Sequence, residues 1–355
     1  MKNLDKFKAL LAQNQVDAIL LTSQTNRFYA AEYNISEGIA VICKENCYYF
    51  TDSRYIEAAE KNLPGFTVLM VDAAHPYMNR INDAIAENDV KVMGFEENDL
   101  SYGEYVRYSD GLKASLTPYH KPINAFREVK EPWELERMRK AQEITDKTFM
   151  DMCGIIKPGM TEKELAAELV YRLSKNGADG LAFDPIVITG PNTSMPHGVP
   201  GDCVVKEGDF VTMDFGAAYK GYCSDMTRTV AVGYATEEMK TVYNIVLEAQ
   251  KAGLAATKAG VPGKEIDGAA RKVITDAGYG AYFGHGYGHS LGIEVHETPS
   301  PSPSNPVPLP AGTICSAEPG IYLPDKFGVR IEDVVILTGD GYENITRSPK
   351  ELIIL

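Results

Sequence analysis

Several things this sequence lacks narrow what it can be. No stretch approaches the roughly 20 consecutive apolar residues that a helix needs to cross a bilayer. The opening Met1-Lys-Asn-Leu-Asp-Lys-Phe-Lys8 holds no apolar core of a secretory signal, so a cytoplasmic protein is expected. Cysteine is sparse and unpatterned: Cys43, Cys47, Cys153, Cys203, Cys223 and Cys315 form no CxxC pair and no Cys/His cluster. That argues against a disulfide framework and against a structural zinc site. No run of basic residues occurs, and 35 Lys and Arg against 49 Asp and Glu leave a net charge of -14. Such a surface repels a phosphate backbone, so neither nucleic acid nor a membrane is an expected partner. Tryptophan occurs once, yet 20 tyrosines, 12 phenylalanines and 44% hydrophobic residues suffice to fill two cores in 355 residues.

From the start to about Asn124, short apolar runs alternate with helical spacing. Residues 16–23, 39–52, 67–71 and 91–96 read as strands, and Leu4 to Gln13, Ser53 to Lys61, Tyr77 to Glu87 and Ser101 to Tyr108 as helices. This predicts an α/β domain over residues 1–125 without an evident catalytic cluster. The character changes near residues 124–131, where Pro132 opens an amphipathic helix running from Trp133 to Phe149. A second domain is therefore expected over residues 126–355.

That second domain carries a degenerate repeat. Lys157-Pro-Gly-Met-Thr-Glu-Lys-Glu-Leu165 aligns with Lys258-Ala-Gly-Val-Pro-Gly-Lys-Glu-Ile266 at an offset of 101, which still holds at Gly177 and Gly278. Each copy opens a helix, the first through the capping box Thr161/Glu164, and each helix ends at its glycine. A strand pair follows each: Asp209 to Ala217 with Tyr222 to Val232, then Thr313 to Ala317 with Val329 to Leu337. Two α+β halves related by a pseudo-twofold axis, with a crevice between them, are the expected architecture.

The acidic residues follow the repeat. Asp214 aligns with Glu318 and Asp225 with Glu332. In a simple hairpin turning about Tyr219-Lys220, Asp214 and Asp225 oppose each other with Cβ atoms ~4.5–5.5 Å apart. Like charges that close demand a cation, and the neighbouring Met213, Phe215 and Met226 argue against a solvated face. In the second half, alternation puts Arg330 and Glu332 on one face and Ile331 and Asp333 on the other. Four of six histidines, His197, His285, His289 and His296, fall between the strand pairs. Three share the segment GHGYGHSLGIEVHE, whose glycines predict a loop or strand, with one histidine as a ligand.

The motifs FDPIVITGPNTSMPHG, MDFGAAYKGYCSDMTRT, GHGYGHSLGIEVHE and EPGIYLPDKFGVRIEDVVILT resemble those of the pita-bread metallopeptidases, the family of prolidase, aminopeptidase P and methionine aminopeptidase. Residues 1–125 resemble the creatinase-type domain of the proline-specific branch. The resemblance implies two divalent metal ions, manganese before cobalt, iron or zinc, held by Asp214, Asp225, His289, Glu318 and Glu332. Asp225 and Glu332 would bridge them. It further implies that His197 and His296 contact substrate and stabilise the tetrahedral intermediate, that His285 lines the substrate pocket, that Arg330 orients a ligand carboxylate, and that Tyr322 lies near the metals and the substrate. Two ions roughly 3.5–4 Å apart can share a hydroxide for attack on a peptide carbonyl, with Glu318 moving the proton. The implied activity is hydrolysis of the Xaa-Pro bond at the N-terminus of short peptides, as an Xaa-Pro dipeptidase or an Xaa-Pro aminopeptidase, by a homodimer.

A non-catalytic pita-bread binding module and a creatinase-like hydrolase of a small molecule are the rival readings. Both are disfavoured because all five ligand positions are present. The six prolines between Pro299 and Pro310 form either a rigid surface connection or a wall of the substrate pocket.

Overall fold

The structure is a computed structural model that describes residues 3–13 and 15–355. It divides into two compact units, Met1–Arg127 and Glu128–Leu355. Among the described residues, no helix is long and apolar enough to cross a membrane.

In the first unit, six strands form one mixed sheet in the order Thr67–Met70, Cys47–Thr51, Ile39–Cys43, Ala18–Leu21, Val92–Phe95, Ser115–Pro118. The three central strands from Cys47–Thr51 to Ala18–Leu21 are buried along their whole length, which is why they read as unbroken apolar runs. The run over 39–52 is two antiparallel strands, not one. Lys44, Glu45 and Asn46 are exposed and make the turn, where the Cys43 N–H donates to Asn46 O at 2.9 Å. The helix Gln24–Ala31, capped by the Ser23 side chain, and the half-exposed edge strand Ser115–Pro118 carry too little apolar patterning to be anticipated.

The second unit opens with the helix Pro132–Cys153, proline in its first turn. The helix Glu162–Asn176 starts in the expected capping box of Thr161 and Glu164. It ends at Gly177, φ +107°, where the Ala178 N–H donates to Leu173 O at 3.1 Å. Its repeat counterpart, Gly263–Asp276, is followed by Gly278 at φ +86°, and the Tyr279 N–H donates to Ile274 O at 3.0 Å. Both helices therefore close in the same left-handed termination at the same offset of sequence. A 20-residue helix, Glu237–Ala256, packs on Gly263–Asp276 as Pro132–Cys153 packs on Glu162–Asn176, so the duplication extends to helix pairs.

The strand pairs depart from the expected register. Asp214 lies opposite Thr227, not Asp225. The hairpin turns on Lys220 and Gly221, at φ +47° and +79°, the left-handed pair that suits a two-residue loop. The turn is thus one residue later than anticipated and the pairing shifts by two. Because the shift is even, Asp225 keeps the face of Asp214 and becomes its diagonal neighbour. Phe215 and Met226 exchange backbone hydrogen bonds at 3.1 Å, and the Ser224 N–H donates to Ala217 O, which sets Gly216 opposite Asp225.

In the second half, Val329 does not pair with the Ile314–Ala317 strand. Ile314–Ala317 pairs with Asp333–Leu337, while Gly320–Leu323 and Phe327–Arg330 form a separate hairpin. Pro319 at the junction has no N–H for a ladder. Ala317 opposite Asp333 and Gly320 opposite Arg330 bring Glu318 opposite Glu332. The halves join where the Glu332 N–H donates to Thr227 O at 3.0 Å.

A Cβ at Gly216 would collide with the Ser224 carbonyl oxygen, a backbone atom that cannot give way alone. Gly216→Ala is expected to destabilise the protein by about 3 kcal/mol through overpacking, read as a lower midpoint in chemical denaturation. An unchanged midpoint would show that the hairpin absorbs the methyl group.

Candidate metal centre

Asp214 ends the strand Phe210–Asp214, and Asp225 lies just before Thr227–Ala231. Glu318 and Glu332 occupy the junction of the second strand pair. His289 comes from the glycine-rich segment, which is irregular backbone as anticipated. Its approach depends on Gly288, where a Cβ would collide with the Ser316 carbonyl. All five side chains line one cleft of about 450 Å³, together with His197, His285, His296 and Arg330. Tyr322 is not among the lining side chains and lies behind the cleft. Asp225, His289 and Glu332 each bring a ligand atom within 4.8 Å of the others.

Hydrogen bonds fix these groups from behind. Arg330 donates from Nη2 to Asp214 Oδ2 at 2.5 Å, from Nε to Thr227 Oγ1 at 2.9 Å and from Nη1 to Tyr322 OH at 3.0 Å. Thr227 Oγ1 donates in turn to Glu332 Oε2 at 2.8 Å. One guanidinium therefore orients a carboxylate from each half of the duplication. Ser316 Oγ accepts from the His289 N–H and donates to Glu318 Oε1, both at 3.0 Å. His289 Nδ1 lies 3.1 Å from Ser290 O, so Nδ1 carries a proton and Nε2 faces Glu318 Oε1 at 3.3 Å and Asp225 Oδ2 at 3.5 Å. His285 Nδ1 likewise faces Gly286 O, leaving Nε2 to accept from Tyr322 OH at 2.8 Å.

The electrostatics show what the cleft is short of. Four carboxylates face one guanidinium and one imidazole. Burial, then the charge of Glu332, pushes the Asp225 carboxyl well above its usual range, and burial with the charge of Glu318 does the same to Glu332. Burial also raises Asp214, against the pull of Arg330. Burial opposes charge on Glu318 and His289 too, but their mutual hydrogen bond and attraction win: the carboxyl falls to about 2 and the imidazole rises to about 9. Even with His289 charged, two negative charges stay uncompensated. Asp214 Oδ1, Asp225 Oδ1 and Glu332 Oε1 are buried without a protein partner. Unpaired buried oxygens of three acids, beside an imidazole whose Nδ1 is already fixed, fit divalent cations.

Sequence reasoning missed Thr227 and Ser316, which tie these side chains together. Thr227 follows Asp225 by two residues and shares its face, so parity could have marked it. Ser316 precedes Glu318 by two residues and shares its face in the same way. It also missed the apolar side of the cleft, Phe183, Ile186 and Val295, of which Ile186 begins the strand Ile186–Thr189 and the other two lie in loops. Ser300 and Ser302 line the cleft as well, so the proline-rich segment is a wall of the pocket.

A duplicated α+β unit holding acidic strand junctions around a cation site defines a metal-dependent hydrolase of the pita-bread type. The chain belongs to metallopeptidase family M24, whose profile matches residues 136–339, and the Creatinase/Prolidase N-terminal domain matches residues 3–129. It is 35% identical to an Xaa-Pro dipeptidase of Pyrococcus horikoshii across 99% of both chains. Among solved structures, an Xaa-Pro dipeptidase from Bacillus anthracis superposes with a TM-score of 0.96 at 39% identity, covering 100% of this chain and 99% of that one. An X-Pro aminopeptidase from Thermotoga maritima superposes with a TM-score of 0.92 at 37% identity, covering 99% and 100%.

Thr227→Val keeps the shape of the side chain and removes the link from Arg330 to Glu332. Manganese affinity, measured by titration calorimetry, is expected to fall by about 10- to 100-fold. Unaltered affinity would show that Thr227 does not orient the ligand.

Proposed function

We propose that this metallopeptidase hydrolyses the bond preceding proline at the N-terminus of short peptides, using two divalent ions held by Asp214, Asp225, His289, Glu318 and Glu332. The observation that carries the reading is the set of buried, unpartnered oxygens on Asp214, Asp225 and Glu332, at positions where the resemblance expects ligands. Relatives named Xaa-Pro dipeptidase and X-Pro aminopeptidase, matched over nearly the whole chain, support the specificity for proline. Nothing favours a binding module or a creatinase-like hydrolase.

When bound, such ions supply an acidified water and polarise the scissile carbonyl. The chain's own groups do the rest. Glu318 Oε1 is occupied by Ser316 and His289, which leaves Oε2 to take the proton of the attacking water and deliver it to the proline nitrogen. His197 and His296 bind the substrate and donate to the oxygen that gains charge. The His296 ring stands edge-on to His289 at 4.4 Å between centroids, placing it at the metal end of the cleft. Arg330 and Thr227 keep Asp214 and Glu332 in position. The donor set of four carboxylates and one imidazole suits manganese, cobalt or iron at least as well as zinc. Six free cysteines support a reducing, cytoplasmic setting, and a homodimer follows from the resemblance.

Protein purified without chelator is expected to carry at least about one divalent ion per chain, to lose Xaa-Pro hydrolysis on chelation and to regain it with manganese. His289→Ala should lower metal content and reduce kcat/KM by about 100-fold or more. Metal-poor protein that manganese cannot activate would overturn the assignment.

A further inference from the structure

We infer that the cleft selects peptides that continue beyond proline, Xaa-Pro-Yaa and longer, over Xaa-Pro dipeptides. The inference rests on the proline-specific reading above and concerns the chemistry on the far side of the scissile bond.

An Xaa-Pro dipeptide carries its terminal carboxylate on the proline itself, one residue from the bond to be cut. Bringing that anion into the cleft removes its water, and the charge of the bound ions is already met by the four carboxylates that hold them. Such a transfer is favourable only where a cation receives it. The cleft lining of the second unit contains no lysine. Its one arginine, Arg330, is 3% exposed, and all three guanidinium nitrogens are engaged, by Thr227, by Tyr322 with Pro196 O, and by Asp214. His285 has both ring nitrogens in hydrogen bonds, and His197 and His296, the other histidines of the lining besides His289, are engaged with the scissile carbonyl in the proposed mechanism.

The wall contributed by the proline-rich segment is neutral as well. Ser300 and Ser302 line the cleft with uncharged, hydroxyl-bearing side chains. That wall is fixed in place: the Gly288 N–H donates to Pro301 O at 3.1 Å, Asn305 Nδ2 donates to Ser300 O at 2.8 Å, and the Lys264 N–H donates to Asn305 O at 2.8 Å. Hydroxyls on a rigid wall are adequate partners for the neutral amide of a continuing chain. They are poor partners for a carboxylate that must shed its water.

The test measures initial rates of the manganese-loaded full chain on Ala-Pro, Ala-Pro-amide and Ala-Pro-Ala. The amide removes the charge at nearly the same size, exchanging one acceptor oxygen for an N–H donor. Both neutralised and extended peptides are expected to give kcat/KM at least about tenfold above Ala-Pro, within the range that pocket contacts can discriminate. Ser300→Arg, and separately Ser302→Arg, should raise Ala-Pro hydrolysis relative to Ala-Pro-Ala by supplying the missing cation. Ala-Pro cleaved as fast as Ala-Pro-Ala would overturn the inference, as would an amide no better than the free dipeptide. Failure to cleave any of the three with metal bound would instead overturn the proline-specific reading itself.

Discussion

Four carboxylates enclosed in one cleft with too little positive charge are the constraint on which the second unit depends. Removed from water, such a group is costly unless something neutralises it, and the protein neutralises only part. Arg330 takes one share through Asp214, and His289 takes another through Glu318. The remaining deficit falls on Asp225 and Glu332, the two carboxyls whose proton affinity is pushed furthest up. Neighbouring acids on the same strand show that the deficit is local. Asp333 points the other way, where Arg228 at 2.7 Å and Lys350 at 2.5 Å flank it. Burial would raise its carboxyl, but those two cations hold it below the ordinary range. Adjacent residues of one strand thus have opposite fates, and strand alternation alone separates them.

The cations behind the strand also build its frame. Arg228 donates to the carbonyls of Thr227, Glu332, Ser348 and Pro349. Lys350 reaches Asp333 and Gln250. The C-terminal segment continues beside Thr227–Ala231, where the Ala231 N–H donates to Ile353 O at 2.9 Å. The backbone carrying Thr227 and Glu332 is thereby held from the rear by groups that never reach the cleft. Such support lets a cluster of like charges persist without the strands parting.

How far the site was legible in the sequence follows from which feature of a strand is robust. Side-chain parity has a period of two, so the face of Asp225, Arg330 and Glu332 survived an error of two residues in the hairpin register. The register itself depended on whether Gly221 or Lys220 ended the turn, and left-handed backbone at Lys220 has no clear signature in a lysine. The separate hairpin at Gly320–Leu323 was hidden for a related reason: Pro319 interrupts a ladder that apolar patterning makes look continuous. Repeated helices were legible because their caps use residues with one physical role, Thr161 with Glu164 and the two terminal glycines. Thr227 and Ser316 were not, since a hydroxyl in a strand has many ordinary uses and only the folded arrangement shows which acid it meets. The wall of Ser300 and Ser302 was visible only as proline density, which says rigid without saying where.

The duplication is close in its glycine helix terminations and looser in its acids. In the first half Asp225 faces Gly216, which has no side chain, while in the second Glu332 faces Glu318. The first arrangement sets a single carboxylate at its ladder position, and the second brings two carboxylates across one. His289 then enters from a glycine-rich loop, drawn close by Gly288, and pairs with Glu318. One member of the second pair becomes a fixed, low-affinity base for protons and the other stays poised for a cation. A strictly symmetric site would have held charge equally on both sides. The asymmetry divides the same four acids into carboxyls left short of positive charge, Asp225 and Glu332, and one, Glu318, that His289 holds ionised.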